Sequence, residues 1–253
     1  MLHILKNQSN TDPKNIFKVF FGLYFLFGMH LDLPHVGGGG LYVPYNNFGW
    51  CTIGLLVGIS FWYISSYGRL EFSKLQILAW IGFLMLLVPM YYPNNEFAYR
   101  ATYRLMFVAG GLLLYGAFIQ MRFKRSDKIH ILTIMLAAIL IQSIIGMIQY
   151  YGVFQGSIRL FDKQAFPWGT FLQKNVMTTF MATGIGISLY LLSKNRGLFQ
   201  SKLITALIFL IPLTGSIIIV AIKSKAGYLG LIATILPQLF VVNYQRKKIR
   251  LWF

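Results

Sequence analysis

Long apolar runs alternate with short polar segments along this chain. Runs of membrane-spanning length occur at about Ile16–Leu33, Phe48–Ile64, Leu75–Tyr92, Tyr103–Met121, Ile129–Tyr151, Asn175–Leu192, Leu203–Val220 and Ala226–Val242. Each is about 17–23 residues, enough for a helix rising ~1.5 Å per residue to cross a hydrocarbon core of ~30 Å. The pattern predicts an all-α polytopic membrane bundle of about eight transmembrane helices, folded as a single transmembrane domain over 1–253. An even number of spans puts both termini on the same side.

Composition agrees with that pattern. Hydrophobic residues make up 57% of the chain and charged residues only 11%, and mean hydropathy is +0.62, which describes an integral membrane protein. One cysteine, Cys51, allows no internal disulfide and no thiolate metal site. The segment Met1–Asn15 is polar and Ile16–Met29 lacks a small-residue cleavage site, so the first apolar run is expected to stay as a helix.

The formal net charge is +17. Such a charge suggests nucleic acid only when it forms a continuous basic face, and here it is divided among short segments between apolar runs, so no nucleic-acid partner is expected. Lys6, Lys14, Lys18, Arg69, Lys74, Arg122, Lys124, Arg125, Lys128, Lys194, Arg196, Lys202, Arg246, Lys247, Lys248 and Arg250 fall on one side of the alternating spans. They are 16 of the 23 lysines and arginines. The side richer in lysine and arginine is cytoplasmic, which predicts that both termini face inward.

The remaining seven, Arg100, Arg104, Arg159, Lys163, Lys174, Lys223 and Lys225, lie on the outer side against this bias. Arg100 and Arg104 are four apart at the start of a helix and share a face. Lys174 and Asn175 stand at the mouth of a spanning helix, and Lys223 and Lys225 bracket Ser224 at a turn. Outer cationic groups suit an anionic ligand with a lipid tail, such as a polyprenyl pyrophosphate. The residues alone support equally a non-specific attraction to anionic membrane lipid.

Other chemistry is thinly supplied. The run Gly37–Gly40 lacks the Gly-Lys-Ser/Thr exit of a phosphate-binding loop and reads as a flexible outer turn. His30 and His35 flank Asp32, which is too few ligands for a metal centre, so no metal and no cofactor are expected. Asp32, Glu96 and Asp162 are the outer carboxylates, none paired with another in sequence. Ser157 and Ser224 lack a local nucleophile signature, leaving the catalytic residue unassigned. Gly110, Gly111, Gly184 and Gly186 are expected to permit close helix packing, and the two halves of the chain show no internal repeat.

The segment Trp168-Gly-Thr-Phe-Leu-Gln-Lys-Asn175, entering a small-residue-rich span through Ala182-Thr-Gly184, resembles a signature of the O-antigen ligase superfamily. It is most similar to the branch of bacterial pilin and protein O-oligosaccharyltransferases. Ser224-Lys-Ala-Gly-Tyr-Leu-Gly230 is similar to that family's Ser-Arg-x-x-x-Leu-Gly turn. Gly28-Met-His30, Pro34, Gly39-Gly40-Leu41, Pro44, Asn46 and Trp50 resemble the branch's opening segment. By this resemblance 1–165 is the protein-glycosylation-ligase-like part and 166–253 the start of the O-antigen-ligase-like core.

The resemblance implies a multi-pass protein of the bacterial cytoplasmic (inner) membrane with its active side in the periplasm. The implied reaction moves a glycan from undecaprenyl pyrophosphate to a serine or threonine of a pilin-like acceptor, or to a lipid A core sugar, with inversion and no metal. Lys174, Lys225, Arg100 and Arg104 would bind the donor pyrophosphate, and Gly169, Gln173 and Asn175 would form the donor loop. The pattern departs at Lys225, where the family carries arginine and its bidentate fork. Family members also continue through a large outer loop with a catalytic histidine, whereas His3, His30, His35 and His130 all lie early. The resemblance therefore implies an N-terminal portion, inactive alone, whose site a second chain would complete. A non-enzymatic membrane partner or carrier of lipid-linked sugar is the alternative.

Overall fold

The computed structural model describes residues 12–30, 45–92, 98–154, 166–171, 173–194 and 201–250, without the side chains of 45–47, 98–100, 103–104 and 240–250. Those residues form α1 (Pro13–Leu26), α2 (Tyr45–Tyr67), α3 (Lys74–Leu87), α4 (Ala98–Gln120), α5 (Arg125–Tyr151), α6 (Lys174–Lys194), α7 (Lys202–Ile222) and α8 (Lys225–Arg250). Short 3-10 turns follow α1 at Gly28–His30 and α3 at Val88–Tyr91. No strand occurs among the described residues.

The segments Phe48–Tyr67, Lys74–Tyr91, Arg125–Tyr151, Lys174–Ser193 and Lys202–Ile222 are long and apolar enough to cross a membrane, and Leu105–Gln120 is a shorter apolar helix. Large apolar side chains on these helices are left outside the protein core, including Leu78, Leu84, Phe209 and Leu213. Only 6% of the α3 span is buried. A surface this apolar associates in water but is satisfied by acyl chains. Several hydroxyls within the helices return to their own backbone, as Thr52 does to Phe48 O at 2.8 Å and Thr214 to Leu210 O at 3.0 Å. Internal satisfaction of this kind suits a solvent that offers no hydrogen bonds. The chain is a helical membrane protein.

A helix occupies each apolar run, but α1 ends earlier than its run predicts. Phe27 leaves helical geometry (φ −128°) while its N–H closes on Leu23 O, and Gly28 follows, a residue type common just past helix ends. Fourteen helical residues rise only about 21 Å. Leu31 to Leu33, the rest of the expected span, lie outside the described residues.

Backbone contacts divide the chain into two compact units, Met1–Met29 with Gly39–Ile131, and His30–Gly38 with Leu132–Phe253. In the first, the α1 aromatic Phe17 meets Phe118 and Phe123 edge-on at ring distances of 5.0 and 5.4 Å. The same unit holds a polar clasp. Lys18 Nζ pairs with Asp127 Oδ1 at 2.7 Å, and Arg122 Nε pairs with Glu71 Oε1 at 2.9 Å. Lys14 Nζ donates to Arg122 O and rests on the Tyr63 ring. Gln120 grips the Glu71 backbone through both its amide oxygen and its nitrogen. Basic residues read as one side of the membrane thus converge on one end of this unit, with Asp127 and Glu71 among them.

In the second unit α6 packs against both α7 and α8. Leu136, Ile139, Met177, Met181, Ile185, Ile208, Ile211 and Ile218 form the buried core. Gly184 lets three helices meet, because a Cβ there would stand 2.7 Å from Ile139 Cγ2 on α5 and 2.9 Å from Ile211 Cγ2 on α7. Gly186 and Gly110 are likewise crowded, against Thr234 and the Trp50 ring, whereas Gly111 has nothing within 4 Å. Packing therefore explains three of the four glycines singled out in the sequence.

Candidate functional site

Helices α6 and α8 run parallel along a seam of small residues. Gly227 faces Thr178, Gly230 faces Ala182, and Gly186 faces Thr234. A Cβ on Gly227 would sit 2.6 Å from Thr178 Cβ, so the first turns of the two helices touch. Small residues at four-residue spacing permit such an approach between membrane helices. The consequence is electrostatic: two helix N-termini, each with partial positive charge and unsatisfied N–H groups, stand side by side.

The turn into α8 completes the arrangement. Lys223 caps α7 in the left-handed region (φ 53°, ψ 39°) with its N–H on Ile219 O, turning the chain back sharply. Ser224 is buried (4% exposed), and its hydroxyl donates to Asn175 Oδ1 at 2.8 Å. Lys174 precedes Asn175, and Lys223 and Lys225 flank Ser224, so three lysines adjoin in sequence the two residues that share this hydrogen bond. All three are exposed. Neither α6 nor α8 carries an acidic residue in its first turn. Both salt bridges among the described residues lie in the other unit.

The loop ahead of α6 is fixed by two glutamines from α5. Gln149 Oε1 accepts from the backbone N–H groups of Trp168 and Gly169 at 3.0 and 2.9 Å, and its Nε2 donates to Gly169 O at 3.0 Å. Gln142 Oε1 accepts from Thr170 N, while its Nε2 donates to Thr170 Oγ1 at 2.6 Å and to His30 Nδ1 at 2.8 Å. Both glutamines are wholly buried. Gly169 adopts φ +63°, and a Cβ there would collide with the Gln142 amide oxygen, so only glycine fits. Phe166, at the head of the loop, lies 4.6 Å beneath Lys174 Nζ.

Along α6 below this point, Asn175, Val176, Thr179, Phe180 and Thr183 line an open, largely apolar groove of about 340 Å³. Its polar end is Asn175. All five residues lie within the span Lys174–Ser193.

Of the residues expected at the site, Lys174, Asn175 and Lys225 come together in this second unit, and Gly169 is the pivot of the loop leading to them. Gln173 is exposed and contributes its carbonyl, which accepts the N–H of Met177 at the start of α6. Arg100 and Arg104 lie in the first two turns of α4, in the other unit, with side chains outside the described residues. Arg159, Lys163, Asp32, His35, Glu96, Asp162 and Ser157 also lie outside them. Gln142 and Gln149 had no place in the sequence-based site. Their signal was two amides seven residues apart on one helical face of an apolar run, which is costly unless both find partners.

No family model, no curated protein and no solved structure matches the chain.

Proposed function

We propose that the outer end of α6 and α8 binds the pyrophosphate of an undecaprenyl-linked glycan. On this reading the chain is a membrane glycan transferase of the O-oligosaccharyltransferase and O-antigen ligase type. The observation that carries it is the Ser224–Asn175 hydrogen bond. It joins the two segments whose resemblance suggested that family, and it brings together the starts of α6 and α8, where Lys174, Lys223 and Lys225 adjoin the bonded pair in sequence. Backbone N–H groups at helix starts and ammonium groups suit phosphate oxygens. The groove on α6 supports a lipid-borne ligand, since it leads from the cationic point down an apolar helix face.

In the proposed reaction the bond between the anomeric carbon and the pyrophosphate oxygen breaks as the acceptor hydroxyl oxygen attacks from the opposite face. The products are an inverted glycoside on serine or threonine and undecaprenyl pyrophosphate, and the hydroxyl proton passes to a base. The described carboxylates, Asp12, Glu71 and Asp127, all belong to the other unit. Lys174, Lys223 and Lys225 would stabilise the charge that develops on the leaving pyrophosphate. Their cationic point lies on the periplasmic face in this proposal, with eight spans and both termini in the cytoplasm of a bacterial inner membrane. The acceptor is a pilin-like protein.

The test is equilibrium binding of fluorescent undecaprenyl-pyrophosphate glycan to the purified chain in nanodiscs, with phosphatidylglycerol as competitor. Binding that persists through a large excess of phosphatidylglycerol is expected. Displacement by comparable amounts of phosphatidylglycerol would reduce the site to an attraction for anionic lipid.

A further inference from the structure

Gln142 and Gln149 direct most of their amide hydrogen bonds to one short stretch of chain, Gln142 also bonding His30 Nδ1. Between them they bind the N–H groups of Trp168, Gly169 and Thr170, the carbonyl of Gly169 and the hydroxyl of Thr170. An amide buried in a membrane span costs free energy unless it is satisfied. Two of them satisfied by three consecutive residues fix the backbone of those residues closely. The loop needs this grip, because its glycine is held at positive φ and the chain must leave it heading into α6. At the loop's head, the Phe166 ring lies beneath the Lys174 ammonium, so the position of the ring sets where that charge is held.

We propose that Gln149 is a positioning residue for the ligand's pyrophosphate, acting through the loop 166–170 and the Phe166 ring on Lys174. The proposal rests on the pyrophosphate reading of the α6/α8 site and deepens it. Gln149 fixes Trp168 and Gly169, these fix Phe166, and Phe166 holds Lys174 Nζ over its face by cation–π attraction. Neither Gln149 nor Phe166 touches the ligand. Their effect is carried by one ammonium group.

That serial dependence gives a test that a merely structural role would not pass. Binding of undecaprenyl pyrophosphate to the full chain in nanodiscs is measured for wild type, Lys174→Ala, Gln149→Leu and Phe166→Leu, and for each of the last two combined with Lys174→Ala. Gln149→Leu and Phe166→Leu alone are expected to weaken binding by about threefold or more. In the Lys174→Ala background each is expected to cost nothing further, since residues in one chain of action are non-additive. Losses that add fully in the double variants would overturn the proposal, as would unchanged binding in Phe166→Leu. Phe166 is 42% exposed, so its variant keeps the test open if Gln149→Leu does not fold. If wild type and Lys174→Ala bind alike, the pyrophosphate reading itself fails. If they differ while Phe166→Leu and Gln149→Leu match wild type, only the positioning role fails.

Discussion

The hydroxyl of Ser224 donates to Asn175 Oδ1 at 2.8 Å across 49 residues of sequence. The two ends are unequal: Ser224 is buried, whereas Asn175 opens to the outside. Removing Ser224 leaves an acceptor that water can reach, and removing Asn175 leaves a buried donor. An unmade buried hydrogen bond costs about 1–3 kcal/mol, and loss of one that water replaces costs about 0.5–1.5 kcal/mol. Asn175→Ala is therefore predicted to destabilise the protein more than Ser224→Ala. Denaturant unfolding in detergent micelles checks this, and the reverse order would count against the bond as drawn.

The glycine seam makes a second prediction with its own control. Gly227→Ala drives a Cβ to 2.6 Å from Thr178, and overpacking of this kind costs about 1–3 kcal/mol. Gly111 has open space around it, so Gly111→Ala is predicted to be neutral or to stabilise by up to about 1 kcal/mol through helix propensity. Melting temperatures of the two variants decide the matter. A Gly227→Ala protein as stable as wild type would mean that α6 and α8 do not approach so closely.

Gly169→Ala combines a positive φ with a collision against Gln142. It should release the loop that carries Trp168, visible as a red shift and faster quenching of tryptophan emission against a background of the other four tryptophans. An unchanged spectrum and unchanged melting would show that the loop tolerates the side chain.

Sidedness is testable by cysteine labelling. With Cys51 replaced by serine, a cysteine at the exposed Gln173 is predicted to react with an impermeant maleimide from outside intact cells. A cysteine at the exposed Ser126, in the basic first turn of α5, is predicted to react only after the membrane is opened. Labelling of both from the same side would contradict the inward placement of the lysine-rich segments.

How much of this was legible beforehand follows from what carries each feature. Helix positions were, because apolar runs such as Leu203–Val220 and Ile129–Tyr151 are themselves the signal. The early end of α1 was not, since Phe27 and Gly28 interrupt backbone geometry without interrupting hydrophobicity. Lys174, Asn175 and Lys225 stood out by charge or polarity at a membrane mouth. Their meeting was invisible, because it depends on α6 and α8 lying parallel, which Gly227 and Gly230 permit but do not announce. Gln142 and Gln149 escaped for a related reason: a buried amide shows its purpose only once its partner backbone is in place.

The most direct measurement is the binding of undecaprenyl pyrophosphate to wild type, Lys174→Ala and Lys225→Ala in nanodiscs at low and high salt. A charge-assisted contact contributes about 1.5–3 kcal/mol, so each substitution is predicted to weaken binding by about tenfold or more, with wild type still binding at high salt. Equal affinity in all three proteins, falling together as salt rises, would contradict a pyrophosphate site at the ends of α6 and α8.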